Sequence, residues 1–112
     1  MDCIFCRIVN GEIPSSKVYE DDTVLAFNDI NPCAPVHILV IPKKHVESAV
    51  ALTSDDDQLI AHIFEVIRII AKEQDLDNGF RLVSNIGEDG GQTVKHLHFH
   101  ILGKKKFGES FG

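Results

Sequence analysis

Residues 94–103 read VKHLHFHILG, from Val94 to Gly103. Three of the chain's six histidines, His96, His98 and His100, fall within five residues, with Leu97, Phe99 and Ile101 interleaved. Alternation of this kind predicts a strand, Val94 to Leu102, with two unlike faces. The imidazoles then point one way and the apolar side chains enter a core. Neighbouring histidines would stand roughly 6.5–7 Å apart at the backbone, twice the strand rise. Two such rings can converge on one small group, a phosphate or a metal ion. The plain alternative is a polar face that happens to be histidine, or a cloned tag. A tag lacks the interleaved apolar residues.

The chain has 112 residues, enough for one domain, residues 1–112, with a modest core. Apolar content of 44% and charged content of 25% are ordinary for a globular protein. The formal net charge is −6, which argues against a nucleic-acid polymer as partner, since that needs a basic surface. A single nucleotide in a local pocket stays open. Lys43-Lys44 and Lys104-Lys105-Lys106 read as solvated loop or strand ends. Met1-Asp2-Cys3 shows no secretory pattern. The most apolar stretch, Ile60 to Ile70, is interrupted by Glu65 and Arg68 and is too short for a bilayer. No membrane association is expected. Three cysteines, an odd number, fit the reducing cytoplasm better than a disulfide scaffold.

The elements can be placed in order. CIFCRIV, residues 3–9, suits a short helix ended by Asn10-Gly11. Lys17 to Glu20 and Thr23 to Phe27 read as a hairpin turning at Asp21-Asp22. Val36 to Ile41 suits a central strand stopped by Pro42. Ser54 can cap a helix whose positive end is favoured by Asp55, Asp56 and Asp57. Leu59, Ile60, Ile63, Ile67 and Ile70 form its apolar stripe, running to about Gln74. Phe80 to Asn85 and Val94 to Leu102 are two further strands around a glycine-rich loop, Ile86 to Thr93. The order implies an α+β fold: an antiparallel five-stranded sheet, one long helix on one face and a short N-terminal helix.

Cys3 and Cys6 form a C-x-x-C pair. A thioredoxin-type redox pair is disfavoured, because that motif follows a strand. Two idle thiols, or half of a tetrahedral zinc site lacking two ligands, remain. Cys33 reads as a plain thiol and His62 as a structural histidine.

His96 to Leu102 resembles the His-φ-His-φ-His-φ-φ motif of the histidine triad (HIT) family. IFCRIVNGEIPSSKVYEDDTVLAFNDINPCAPVHILVIPKKH is similar to the first half of its Hint branch, and NIGEDGGQTVKHLHFHILG to the second. The likeness covers Ile4 to Gly103. It implies a HIT-like fold and a hydrolase that cleaves the phosphorus–nitrogen bond of purine nucleoside 5′-phosphoramidates, such as adenosine 5′-monophosphoramidate. The family works through a covalent nucleotidyl-histidine, with the middle histidine, here His98, as nucleophile. Physics makes that role intelligible. A neutral imidazole, with an ordinary pKa of ~6.5, is a good nucleophile near pH 7 once its second N–H is held. Covalent catalysis splits one displacement into two easier ones.

By the same resemblance His100 donates to a phosphate oxygen and His37 is the family's upstream histidine. Asn85, Gly91 and Thr93 contact the phosphate, and Gln92 lies near the leaving group. The family commonly has serine where this chain has Thr93. Asp29 takes the ribose hydroxyls, Ile30 lies against the base, and Phe5, Ile8, Phe27 and Leu39 form the purine slot. Taken alone, those four are most simply core residues. HIT proteins with a similar C-x-x-C pair bind structural zinc with two histidines, here His45 and His96.

The resemblance further implies a homodimer built on the Ser54–Gln74 helix and the strand from Phe80. The extra apolar residues Phe64, Val66, Ile69 and Ala71 widen that helix face beyond what one sheet needs. Three alternatives stay open at this level. They are a diadenosine polyphosphate hydrolase of the Fhit type, a nucleotide-binding regulator without significant turnover, and a zinc hydrolase with His96, His98 and His100 on one metal. The tail KKKFGESFG departs from the longer tryptophan-containing tail of eukaryotic Hint proteins.

Overall fold

The computed structural model describes residues 3–111. Its elements are helix α1 (Ile4–Val9), strands β1 (Lys17–Glu20), β2 (Val24–Asn28) and β3 (Val36–Pro42), helix α2 (Asp57–Glu73), and strands β4 (Arg81–Val83) and β5 (Phe99–Gly103). The five strands form one sheet in the order β1-β2-β3-β5-β4. Every neighbouring pair is antiparallel. The expected α+β architecture is present.

The sheet is buried on both faces at its centre, which explains why β2 and β3 are almost wholly apolar. Val24, Ala26, Ile38, Val40 and Ile101 pack on one face with Ile63, Val66, Ile67 and Ile70 of α2. Leu25, Phe27, Leu39 and Ile41 pack on the other with Cys3, Phe5 and Ile8 from α1 and its cap. Each fully buried aliphatic side chain contributes about 1.5–3 kcal/mol. A six-residue helix such as α1 is too short to hold alone, so its apolar side against the sheet keeps it in place. It ends as expected at Asn10, with Gly11 at φ +78°, a backbone conformation that glycine adopts without penalty.

Three expectations need correction. The strand predicted from Val94 begins only at Phe99, so His96 and His98 precede it. The backbone N–H of Leu97 bonds to the Val46 carbonyl at 2.6 Å, away from the sheet ladder. The strand predicted over residues 80–85 is confined to Arg81–Val83, because the chain turns into the glycine loop. The helix expected to open at Ser54 starts instead as a 3-10 turn, Ser54–Asp56, capped by Thr53 rather than Ser54, and α2 follows from Asp57. Thr53 Oγ1 accepts from the Asp55 N–H, and Asp56 reaches back to the Thr53 N–H at 3.0 Å. The hairpin turn at Asp21 fits its sequence: Oδ1 accepts from the N–H groups of Thr23 and Val24, both at 2.9 Å. Among the described residues no helix is long and apolar enough to cross a membrane.

Candidate functional site

Strand register decides which side chains share a face. Leu39 lies opposite His100 and His37 opposite Leu102, so these residues face the α1 side. His98 joins them from just outside the strand: its ring centroid is 5.0 Å from that of His100 and 5.2 Å from that of Phe5, edge-on.

Hydrogen bonds fix the protons on these rings. His98 Nδ1 lies 2.7 Å from the His96 carbonyl oxygen. A carbonyl only accepts, so Nδ1 carries a proton, and the neutral ring then has its lone pair on Nε2. The Cys33 N–H donates to His37 Nδ1 at 3.1 Å. His37 Nε2 therefore holds the proton and donates to His100 Nδ1 at 2.9 Å. That leaves the His100 Nε2–H free as a donor. Burial, then the neighbouring His98 and His37 rings, push the His100 imidazole down to about 4. A candidate nucleophile thus stands beside a neutral N–H donor.

Both histidines line a pocket of about 340 Å³. Its walls bring together Phe5, Ile8, Phe27, Leu39, Asp29, Ile30 and Thr93 from the sequence reading. Ile4, Ile13, Pro14, Ser15, Asn28, Asn31 and Val94 also line it and were missed. The Ile13-Pro14 pair lies inside a segment that carries the family likeness, which was the available signal. Ser15 Oγ is buried there without a hydrogen-bond partner. Asp29 Oδ1 accepts from the Asn31 N–H at 2.8 Å, and its Oδ2 is 3.4 Å from His37 Nε2. Larger hollows of about 450 and 510 Å³ lie around Asn78, Gly79, Lys105 and Lys106. They bring together no histidine or cysteine.

His37, Asn85, Gly91 and Gln92 stand off the pocket wall. His37 backs His100. The Asn85 amide donates to the Gly90 carbonyl at 2.8 Å. Gln92 braces the loop: its Nε2 donates to the Glu47 and Val94 carbonyls at 2.6 and 3.0 Å, and its Oε1 accepts from the Gly87 N–H. Two glycines have specific reasons. Gly91 has φ +77°, and a methyl group on Gly90 would stand 2.8 Å from the Ile86 nitrogen and run into its carbonyl. Ser84, unnoticed in the sequence, donates to the His98 carbonyl at 2.8 Å.

A second cluster lies behind the pocket. Cys3 Sγ is 3.4 Å from His96 Nδ1, Cys6 Sγ is 3.3 Å from His45 Nδ1 and 3.6 Å from His96 Nδ1, and the two Nδ1 atoms are 3.2 Å apart. Ligands at about 2.0–2.3 Å from a tetrahedral ion sit about 3.3–3.8 Å from one another, close to this set. The His96 Nε2–H is spent on the Pro42 carbonyl at 2.8 Å, so Nδ1 presents a lone pair to the cysteines. Burial pushes the Cys6 thiol up and the His96 imidazole down. The His96 ring thus belongs with the cysteines, which does not suit three triad histidines on one metal. Asp29, His37 and His100 also converge. The proton on His37 Nε2 leaves no lone pair there for a cation.

The chain matches the family model for the scavenger mRNA decapping enzyme C-terminal binding region over residues 2–111. It is 48% identical over 102 residues to a HIT-like protein of Synechococcus elongatus, covering 91% of this chain and 90% of that one. Protein HitA of Neisseria gonorrhoeae is 44% identical over 102 residues, covering 91% and 95%. Among solved structures, a histidine triad protein from Clostridium difficile superposes with a TM-score of 0.94 at 59% identity, covering 98% and 96% of the two chains. A HIT family hydrolase from Legionella pneumophila gives 0.96 at 43% identity, covering 99% and 100%.

Proposed function

Because this chain belongs to the histidine triad family, we propose that it is a nucleotide hydrolase that cleaves the P–N bond of purine nucleoside 5′-phosphoramidates through a nucleotidyl-His98 intermediate. The observation that carries this is the tautomer of His98. Its Nδ1–H is held by the His96 carbonyl, and its Nε2 lone pair is left for attack at the rim of an apolar slot. The slot accepts the base between Phe5, Ile8, Phe27 and Leu39, with Ile30 outside it. Asp29 accepts from the ribose hydroxyls. His100 Nε2–H and the donors of the Asn85–Thr93 loop, Gly91 and Thr93 among them, take the phosphate charge. Fixed donors of this kind are worth about 3–4 kcal/mol each in the transition state. Gln92 holds that loop in shape beside the leaving group.

The steps balance. His98 Nε2 bonds to phosphorus as the P–N bond breaks, and the leaving nitrogen takes a proton from solvent and departs as an amine. Water then attacks phosphorus and gives a proton back to solvent, the His98–P bond breaks, and a nucleoside monophosphate leaves with the imidazole restored.

Zinc suits the Cys3, Cys6, His45 and His96 donors, two sulfurs and two nitrogens at tetrahedral spacing. When bound it supplies structural cross-linking, and no step of the reaction passes through it. A homodimer through α2 is part of the same reading, supported by Phe64, Ile69, Phe80 and Ile86, apolar residues left exposed. The cytoplasm is the compartment that keeps such a thiol pair reduced. Steady-state hydrolysis of adenosine 5′-phosphoramidate tests the function. Wild type should turn over, and His98→Ala should lose at least about a thousandfold in kcat while its far-UV spectrum is unchanged. A folded His98→Ala protein with near-wild-type kcat would end the assignment.

A further inference from the structure

We propose that the Cys3, Cys6, His45 and His96 cluster, with its metal bound, sets nucleotide affinity by clamping α1 against the segment that carries His98. The proposal rests on the reading above that the slot takes a purine nucleotide and the cluster takes zinc. It adds a functional job to an ion that would otherwise only raise stability.

The four donors come from three separate segments. Cys3 caps α1 and Cys6 lies within it, His45 follows β3, and His96 precedes β5. Between the two cysteines sits Phe5, a wall of the slot. Its ring is edge-on to Phe27 at 5.6 Å, His96 at 5.8 Å and His98 at 5.2 Å. Ile4 and Ile8 of the same helix also line the slot. A helix of six residues has little stability of its own. An ion joining its first turn to His45 and His96 would fix where Phe5 and Ile8 stand. Without the ion, one buried thiol, one half-buried thiol and two facing ring nitrogens hold each other weakly. The slot wall then has to be ordered when the nucleotide binds, and that cost appears as lost affinity.

The nucleophile has supports besides the cluster. Its Nδ1–H goes to the backbone carbonyl of His96, itself one of the four donors, but the same segment is also held by the Leu97 N–H on the Val46 carbonyl and by Ser84 on the His98 carbonyl. Removal of the metal should therefore raise Kd and KM and leave kcat at saturating substrate nearly unchanged. A purely structural ion would lower the melting temperature without this split.

The test titrates adenosine 5′-monophosphate calorimetrically into zinc-loaded, chelator-stripped and zinc-reloaded wild type. The temperature is one where circular dichroism reports the native fold throughout. Hydrogen exchange is read in parallel on residues 4–9 and on β2 and β3, and Cys6→Ser serves as a second route to the metal-free state. The expected result is a Kd about tenfold or more higher on stripping, restored by zinc, with faster exchange confined to α1. An unchanged Kd in a zinc-binding protein overturns the clamp and leaves the hydrolase reading intact. Stripping that exposes β2 and β3 equally also overturns it, since the effect is then global. No measurable binding by the zinc-loaded protein removes the nucleotide reading itself, and no zinc in native protein removes the metal reading; either overturns the clamp with it.

Discussion

His98 and His100 lie two residues apart and face one pocket, yet their hydrogen-bond partners make them different chemical groups. A carbonyl receives the Nδ1 proton of His98, and an imidazole N–H is directed at Nδ1 of His100. One ring is left with an outward lone pair and the other with an outward proton. Because burial and two neighbouring rings hold His100 down to about 4, it should stay neutral where a free histidine, at ~6.5, is half charged. The sign follows from linkage. The unfolded chain takes up this proton near pH ~6.5, and the folded chain only near 4. This group's contribution to stability is therefore whole above ~6.5 and lost as pH falls toward 4. Imidazole resonances followed by NMR should place the His100 midpoint well below the ordinary histidine value of ~6.5. A midpoint at or above the ordinary value would contradict the tautomer chain through His37.

Most of these residues could be picked out from the sequence, and the reason is chemical. Histidines at every second position and a C-x-x-C pair are rare enough to mark themselves. Ser84 and Ser15 gave no such signal. A serine becomes informative only when folding brings a carbonyl to it, as with Ser84, or leaves its hydroxyl buried and unpartnered, as with Ser15.

At the scale of elements, hydrophobic periodicity located α2 and the β1–β2 hairpin, while the register around the triad escaped it. Period-two alternation begins at His96, ahead of the strand, but there the Leu97 backbone answers to Val46 and the His96 ring to the cysteine cluster rather than to a strand partner. Local pattern cannot see that competition. The joint between α2 and the hairpin is a further case. His62 Nε2 lies 2.5 Å from Asp21 Oδ2 and Nδ1 lies 2.8 Å from Glu65 Oε1, so both ring nitrogens donate only when the imidazole is charged. The hydrogen bonds to Asp21 and then Glu65 raise the His62 pKa. Burial alone would raise Asp21, but hydrogen bonds from Tyr19 and His62 hold it well below the usual carboxylate range. Tyr19, donating to that carboxylate, is pushed up to about 12.

Here the sign is opposite to that of His100. The stabilising contribution of His62 is full below the unfolded value of ~6.5 and is lost as pH rises through the raised folded value. His62→Gln should therefore flatten the decline in melting temperature between about pH 6 and pH 9, with the difference shrinking at high salt. Parallel melting curves for the two proteins would show that the joint carries no such charge.

For the whole molecule, the sheet is covered by α1 on one side and α2 on the other, yet α2 still shows apolar surface. Ile63 is fully buried and Phe64, the next residue, is 40% exposed, its ring edge-on to Phe99 at 5.6 Å. The helix face that looked too wide in sequence thus divides into a core stripe and an outer strip. The proposed dimer makes the two positions respond differently. Phe64→Glu should give a folded monomer by light scattering, because a two-fold interface feels each change twice. Ile63→Glu should unfold the chain, as a charge without a partner in the core costs more than about 4 kcal/mol. A monomeric wild type at micromolar concentration would remove the dimer.

The nucleotidyl-His98 intermediate is the most direct point of test for the chemistry. Protein mixed with adenosine 5′-phosphoramidate would be quenched on the millisecond scale and kept at neutral to alkaline pH, since a phosphorus–nitrogen linkage is labile in acid, and its intact mass recorded. The account predicts a gain of one adenosine monophosphoryl group, mapped by peptide fragmentation to His98, formed at least as fast as kcat and absent in His98→Ala. Turnover without a kinetically competent adduct, or an adduct on another residue, would contradict it.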